Sequence, residues 1–278
     1  MSQNKPTLDD CVSQRTLDGI EFANIVTGRL RMPPRNDWFA PPLVVHEAPV
    51  DVLDCITVVA RTPTGEVIVV DPSNFDARTI EKAAVWDLRA EATCELNDAL
   101  ACVGVKPDEV THVLITHGHF DHFSGAGDGV SIHFPAAEHF VPELDWTAEN
   151  GPTSEDLREI LAPVAEAGLL RPVSGELAVT DDVDYVPAPG DSAGHHVVRV
   201  GGMWCLGDLV HFASEVEHLD WGPIHVSKEL AERSRRDIFQ RLAGDHVVFA
   251  HSEFPGWGSI QAEGDGWRYI HDFTTRTE

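Results

Sequence analysis

One short segment of the sequence concentrates side chains that bind metal ions. It covers residues 116–122, Thr-His-Gly-His-Phe-Asp-His, and its four potential donors are His117, His119, Asp121 and His122. Donors this close together cannot share one face of a strand or helix, but they can converge where the chain turns tightly, which Gly118 permits. Imidazole and carboxylate together suit zinc or a similar borderline metal, and such mixtures are typical of catalytic sites. The segment therefore predicts a metal centre rather than a solvated histidine-rich turn.

Three further donors stand at the tips of apolar segments. His195 follows a glycine-rich loop, Asp208 follows the segment 204–206, and His251 ends the segment HVVFAH. Strand tips that meet loops commonly carry functional side chains, because the scaffold is rigid and the loop is free to vary. One such residue alone would more often be a cap or a satisfied polar core group. Three of them, together with the first cluster, favour one shared metal site.

We expect ordinary structural roles for several neighbouring residues. His196 and Cys205 fall on the opposite faces of extended segments from His195 and Asp208, so we do not expect them to be ligands. His112 is expected to pack within its strand. Aromatic residues favour core packing, and Trp257, close after His251, is the best exception as a candidate for a substrate-binding wall.

Taken together, the donors resemble the signature of the metallo-β-lactamase superfamily. The segment THGHFDH is similar to its HxHxDH motif, and the later donors follow in the family's order, over about residues 55–260. The resemblance implies an αββα four-layer sandwich, with two packed sheets, helices outside and the metals at one edge. It also implies the ligands: His117, His119 and His195 for one metal, Asp121, His122 and His251 for the other, and Asp208 bridging both.

The activity implied by this resemblance is hydrolysis at two divalent metal ions. Such a pair lowers the pKa of a shared water and polarises the attacked oxygen. Asp121 would shuttle a proton to the leaving group, and His211 would donate a hydrogen bond to the substrate. Asp71 resembles a family residue that orients a ligand histidine, although a strand-end cap is an equally good interpretation. Zinc is the expected metal, with manganese, iron or cobalt as alternatives.

Local motifs resemble those of the lactonase and methyl-parathion-hydrolase-like branch. Residues 207–211, GDLVH, are similar to its GDxVH, and residues 254–258, FPGWG, are similar to the end of its HxPFPGxG. The chain departs from the branch at residues 190–195, where GDSAGH stands for GHTPGH, so that Asp191 replaces a histidine and Ala193 a proline. We expect a small-molecule ester or lactone as substrate. Organophosphate, phosphodiester or β-lactam hydrolysis is the enzymatic alternative, and a binding module with a structural metal is the non-enzymatic one.

The charge of the chain bears on its partners. Lys and Arg number 20 and Asp and Glu number 46, giving a formal net charge of −26. This surplus repels phosphate backbones, so no nucleic-acid partner is expected.

No apolar run approaches the ~20 residues of a membrane-spanning helix, and no secretory signal is evident. The five cysteines contain no CxxC pair and predict buried, free thiols in a reducing compartment, the cytoplasm.

Predicted strands and helices alternate along the chain, which indicates an α/β fold. These elements must position the donors. The patterns predict a hairpin over 55–71, helices over 86–105, 154–169 and 227–244, and strands over 110–116, 183–187, 196–200, 203–207 and 246–251. The helix over 154–169 is expected to break at Pro163. Residues 1–50 are rich in proline and predict an irregular N-terminal arm. Because His117 and His251 must meet, we expect one domain over 1–278. A homodimer would form if the arm crossed to a neighbouring chain, which the sequence leaves open.

Overall fold

The computed structural model describes residues 7–32, 39–40, 52–148, 152–223, 225–242 and 244–272. Within these ranges the larger sheet has the strand order β1-β2-β4-β5-β7-β8-β9, and β6 pairs with β2. Its strands are β1 Val12–Leu17, β2 Ile20–Arg31, β4 Val52–Arg61, β5 Val67–Val70, β6 Arg89–Ala92, β7 His112–Leu114, β8 Glu138–Pro142 and β9 Leu170–Val173. The inner strands β4 and β5 are almost entirely buried, because one face packs against the outer helices and the other against the second sheet.

The second sheet has the order β10-β11-β12-β13-β15-β16-β17 in the described part of the chain. Its strands are β10 Leu177–Ala178, β11 Val183–Pro187, β12 His196–Val200, β13 Met203–Cys205, β15 His246–Val248, β16 Gly258–Glu263 and β17 Gly266–His271. A small ladder joins β3, Phe39–Ala40, to β14, Gly222–Pro223. The helices are α1 Ala77–Val85, α2 Leu96–Cys102, α3 Phe120–Phe123, α4 Glu143–Thr147, α5 Pro152–Glu166, α6 Ser214–Glu217 and α7 Lys228–Arg241.

Three apolar clusters bind these elements into four layers. The central cluster joins side chains of both sheets, among them Phe22 of β2 and Tyr185 of β11. A second cluster packs α2 and α5 on the outer face of the larger sheet, and a third packs α7, through Ile238, on the outer face of the other. The order helix, sheet, sheet, helix is the αββα sandwich that the sequence resemblance implies.

The pairing of the strands places the donors at one edge. β5 and β7 are parallel, and so are β13 and β15. The two strands of each pair therefore end at the same edge of their sheet. Asp71 follows β5, His117 follows β7, Asp208 follows β13 and His251 follows β15. β12 runs antiparallel to β13 and therefore begins at this edge, directly after His195.

Several expectations from the sequence are wrong. Residues 12–31 form the strands β1 and β2, not an irregular arm, while residues 1–6, 33–38 and 41–50 lie outside the described residues. The segment 86–105 is helical only in α2, because Arg89–Ala92 pairs with β2 as an edge strand. Pro163 lies inside α5 without ending it. The strand at 246–248 is followed by β16 and β17, which the sequence patterns did not predict. No helix in the described ranges has the length and apolar character required to cross a membrane.

Candidate metal centre

The chain turns sharply after β7 and then enters α3, which brings the donors of residues 117–122 to one place. The backbone N–H of Gly118 donates to Asp145 Oδ2 at 2.9 Å, which fixes the turn. His119 is the residue before the first turn of α3, and Asp121 and His122 lie inside that turn. The strand end and the helix start thus present their side chains toward the same buried space.

One group of donors surrounds His117 Nε2. This atom lies 2.7 Å from His119 Nδ1 and 3.6 Å from Asp208 Oδ2. Asp191 Oδ2 lies 3.2 Å from His117 Nε2 and 3.1 Å from His119 Nδ1. All four donor atoms lie within 4.8 Å of one another, which is the size of a single-ion site.

A second group surrounds Asp208 Oδ1. His122 Nε2 and His251 Nε2 each lie 3.3 Å from this oxygen. Asp121 Oδ2 lies 3.5 Å from His251 Nε2 and 3.7 Å from His122 Nε2. One oxygen of Asp208 therefore faces each group, which is the arrangement expected of a bridging carboxylate.

The outer ring nitrogens of the histidines are fixed by protein groups, as in known metal sites. His122 Nδ1 donates to Asp71 Oδ2 at 2.9 Å, and His251 Nδ1 donates to the backbone carbonyl of Asp54 at 2.9 Å. His117 Nδ1 lies 3.1 Å from Thr116 Oγ1. The contact of Asp71 with His122 is the one that the sequence resemblance implies for it. These anchors leave the other nitrogen of each ring directed into the shared space.

Unpaired buried atoms support a fit to metal ions. His122 Nε2, Asp191 Oδ2 and Asp208 Oδ1 are buried, and each lacks a hydrogen-bond partner among the described residues. Buried polar atoms are normally paired, since an unpaired one costs about 1–3 kcal/mol. Their mutual approach without hydrogen-bonding geometry is what donors directed at a common cation require. The residues present therefore fit two divalent ions.

Charge distribution in the site also favours cations. Burial lowers the pKa of the His122 imidazole, but the carboxylates of Asp208, Asp121 and Asp71 outweigh it and hold that pKa well above its usual value. Burial also lowers the pKa of the His119 imidazole, but the Asp191 carboxylate outweighs this effect, so that the pKa rises to about 9. The carboxylates thus create a negative potential. Protons on the histidines partly neutralise it, and divalent cations would neutralise it more fully.

His195 is close to the site but oriented differently from the other histidines. Its ring centre lies 5.1 Å from that of His117, and its Nδ1 donates to the carbonyl of Ala188 at 3.1 Å. Its Nε2 accepts the backbone N–H of Asp208 at 3.1 Å, and it belongs to neither donor group. Burial lowers the pKa of His195 to about 4, so the ring is neutral. Its role as a metal ligand stays a prediction.

His211 is buried next to the first donor group. Its Nε2 lies 3.3 Å from Asp208 Oδ2, and its Nδ1 lies 3.5 Å from Glu215 Oε2. Glu215 also accepts the backbone N–H of His211 at 3.0 Å and pairs with Arg235, and both charged groups are buried. Burial disfavours the imidazolium, but Asp208 and Glu215 outweigh it and raise the pKa of His211 well above its usual value. The ring therefore lies with Nδ1 toward Glu215 and Nε2 toward the donor groups.

Three residues of the site escaped the sequence reasoning. Asp191 was noted only as a departure from a motif, yet its side chain is fully buried in the first donor group. Asp145 accepts from Gly118, from Ser192 Oγ and from the backbone N–H of Gly194, although nothing in its local sequence marks it. Cys55 donates its thiol to Asp121 Oδ2 at 3.9 Å. The departure at 191 was the one available signal.

The residues given structural roles lie away from the donors. His196 stacks on Tyr185, Cys205 belongs to the inter-sheet core, and His112 stacks on Phe140. Trp257 is buried in the inter-sheet core and donates to Ser13 Oγ, so its proposed place in a substrate-binding wall is wrong. Of the thiols, Cys102 is exposed, contrary to expectation, and none of the five forms a disulfide.

A cavity of about 730 Å³ opens beside the donors. His211 and His251 form part of its wall, so a molecule bound there would contact the site directly. Its other lining residues include Arg29, Val52, Asp54, Phe212, Phe249 and Phe254. The wall therefore combines an apolar surface with a few polar groups, as ligand pockets usually do.

Comparisons with known proteins agree with this architecture. The hydrolase AbOPH of the β-lactamase superfamily has a TM-score of 0.79 and 17% identity, over 96% of this chain and 99% of that chain. AidC, a dizinc quorum-quenching lactonase, has a TM-score of 0.75 and 19% identity, over 96% and 99%. A probable metal-dependent hydrolase from Staphylococcus aureus has a TM-score of 0.74 and 16% identity, over 94% and 100%. At these identities the likeness shows the fold alone.

Among curated proteins, the comparison finds no match. The family model of the metallo-β-lactamase superfamily matches residues 51–251, which hold every donor described above. This match covers well over half of the chain, and the protein therefore belongs to the metallo-β-lactamase superfamily.

Proposed function

We propose that the protein is a dinuclear metal-dependent hydrolase of small esters or lactones, with zinc as the metal. The observation that carries the proposal is the position of Asp208, whose two oxygens face two separate donor groups at the wall of a cavity. Sites that hold two metal ions about 3.5–4 Å apart are a common basis of enzymatic hydrolysis.

The residues of the chain have distinct tasks in this reaction. Bound divalent ions would supply Lewis acidity and a water of lowered pKa. Asp121 Oδ2 lies among the second donor group and is nearly buried, so it can accept a proton there and return it to the leaving group. His211 lines the cavity, with its Nδ1 3.5 Å from Glu215 Oε2, and would donate a hydrogen bond toward the substrate oxygen.

The cavity favours a neutral substrate with an apolar part. Phe212, Phe249 and Phe254 offer contact to an acyl or aryl group. Arg29 lies on the same wall, but its charge is paired with Asp54 at 2.6 Å. The net charge of −26 would repel an anionic phosphodiester, whereas it would not repel a neutral ester or lactone.

Relatives of the same fold support the choice of lactone. AidC was solved with a product, N-hexanoyl-L-homoserine, and an N-acyl homoserine lactone hydrolase was solved with the same product at its catalytic metal centre. Both are below 20% identity to this chain. The substrate class is therefore our proposal for this chain, as are the cytoplasmic location, a small molecule as partner and the absence of a nucleic-acid partner.

A substrate panel tests the proposal. We expect zinc-loaded protein to hydrolyse an N-acyl homoserine lactone or an aryl acetate with a higher kcat/KM than a phosphotriester or a β-lactam. Chelation and Asp208→Asn should each reduce that kcat/KM at least about 100-fold, because both ions depend on this carboxylate. Asp245→Asn is the matched control and should retain activity. It removes the same charge from a carboxylate that accepts a hydrogen bond from Trp204. A panel dominated by the phosphotriester or the β-lactam would overturn the substrate class, and full activity in Asp208→Asn would overturn the mechanism.

A further inference from the structure

Asp191 has the position of a metal donor, although the family motif has a different residue type there. Its side chain is fully buried, and its Oδ2 lies 3.2 Å from His117 Nε2 and 3.1 Å from His119 Nδ1. Neither approach has hydrogen-bonding geometry, and Oδ2 has no hydrogen-bond partner among the described residues. Two donors of one tetrahedral ion, each about 2.0–2.1 Å from it, lie about 3.3 Å apart. The distances around Oδ2 match that separation.

The other oxygen of Asp191 is anchored from outside the donor group. His225 Nε2 donates to Oδ1 at 2.8 Å, and His211 Nε2 lies 3.5 Å from the same oxygen. Carboxylates that bind metals are usually hydrogen bonded through the oxygen that faces away from the ion. Asp191 therefore has an inward, unpaired oxygen and an outward, paired one.

The loop that carries Asp191 is fixed on both sides. Before it, the carbonyl of Gly190 accepts the N–H of Ser227 at 2.9 Å, and a Cβ at Gly190 would come within 2.8 Å of Ala231 in α7. After it, Ser192 Oγ donates to Asp145 Oδ2 at 2.7 Å. This support holds the carboxylate in place before any ligand binds.

We propose that Asp191 is a metal ligand, binding through Oδ2 at the position shared by His117, His119 and Asp208. The inference rests on the proposed metal-dependent function. It gives this position at least two oxygen donors, whereas the family pattern supplies a histidine-rich set. Carboxylate oxygens suit manganese better than imidazole nitrogens do, so Asp191 also shifts the preference of this position toward harder ions.

Three variants test the assignment: Asp191→Asn, Asp191→His and, as the control, Asp245→Asn. Each is loaded with cobalt, and the measurements are the bound metal per chain, the affinity in chelator competition and the visible absorption spectrum of bound cobalt. We expect Asp191→Asn to bind one of its two ions more than about 100-fold more weakly, since a residue that only orients a ligand costs about 10–100-fold. Asp191→His should retain two ions with a changed spectrum and a raised preference for zinc over manganese.

The cobalt spectrum decides the outcome, because it reports on the atoms bound to the ion. A spectrum unchanged in both Asp191 variants would overturn the assignment, and a change in both, with the control unchanged, would support it. Circular dichroism identifies any variant that does not fold, and Asp191→His keeps a metal donor at this position if the asparagine variant loses the loop. None of these measurements uses a substrate, so a wrong substrate class in the proposed function would leave their result intact.

Discussion

At the scale of single residues, Asp71 shows how one carboxylate can orient a candidate metal ligand. It follows β5 with a φ of 50°, a left-handed conformation that Asp adopts more readily than most residues. It accepts from the backbone N–H of Thr116 at 2.7 Å, from Thr116 Oγ1 at 2.8 Å and from His122 Nδ1 at 2.9 Å. The same side chain thus fixes the end of β7 and the orientation of the His122 ring, a candidate metal ligand.

Asp71→Asn tests this role. The amide keeps the shape of the side chain, but it removes the charge and one of the oxygen acceptors that serve Thr116 and His122. We expect the affinity for the ion nearest His122 to fall about 10–100-fold in chelator competition, as is usual for partners of metal ligands. Asp184→Asn, which disturbs only an ion pair with Arg199 on the second sheet, is the control. Wild-type affinity in Asp71→Asn would show that Asp71 is only a strand-end cap.

Sequence reasoning located donors that belong to a motif and missed those defined by a long-range contact. The segment 117–122 is recognisable because it holds four potential metal donors close together. Asp208 and His251 are recognisable because they follow apolar strands. Asp145 and Cys55 offer no such signal, since their partners lie far away in the sequence. A lone aspartate in a loop or helix has many ordinary roles, and only the folded chain selects among them.

At the scale of elements, the short helix α4 joins two loops of the site. Its Asp145 is buried and accepts from Gly118 in the turn after β7 and from Ser192 and Gly194 in the loop before β12. The two loops approach the site from different sheets. α4 therefore couples the sheets at the edge where the donors meet.

Asp145→Ala tests the importance of this helix. The change leaves two backbone N–H groups and one hydroxyl without their acceptor, and each buried unpaired group costs about 1–3 kcal/mol. We expect the free energy of unfolding in urea to fall by about 3 kcal/mol or more. Glu143→Ala, at an exposed position of the same helix, is the matched control and should change it by less than about 0.5 kcal/mol. Equal stability of the two variants would contradict the role given to Asp145.

The elements that were predicted correctly have buried faces. The hairpin of β4 and β5 and the strands β11 and β12 are rich in β-branched residues that pack in the core. β6 was mistaken for helix because three of its four residues are exposed and impose no alternation of polar and apolar side chains. β1 was missed because its edge position leaves polar residues along most of its length. Edge strands depend on pairing with a neighbour, which a local pattern does not contain.

At the scale of the whole molecule, acid stability depends on histidines buried in a neutral form. His139 lies in β8 with no exposed surface, and its Nδ1 donates to the carbonyl of Ala137 at 3.0 Å. Burial lowers its pKa to about 4 from an ordinary value of 6.5. Between these two values the unfolded chain binds a proton that the folded chain does not. Stability is therefore lost as pH falls through this range, by up to about 3 kcal/mol below pH 4.

His139→Phe should remove this contribution, because the ring keeps its size beside Phe134 and no longer titrates. We expect the loss of unfolding free energy between pH 7 and pH 4.5 to be smaller in the variant than in the wild type. Urea unfolding with a chelator in every sample measures it without metal binding. His218→Gln, at an exposed ring, should follow the wild type. A slope unchanged by His139→Phe would refute the assignment.

The spread of the donors along the chain has a consequence for synthesis. The segment 117–122 leaves the ribosome while Asp208 and His251 are still untranslated, and at about 5–20 residues per second the gap lasts on the order of 10 s. During that interval the nascent chain carries the histidine cluster without Asp208, the carboxylate that faces both donor groups. An ion bound to the nascent cluster would therefore be held by an incomplete set of donors. Any discrimination among ions would arise only in the finished fold.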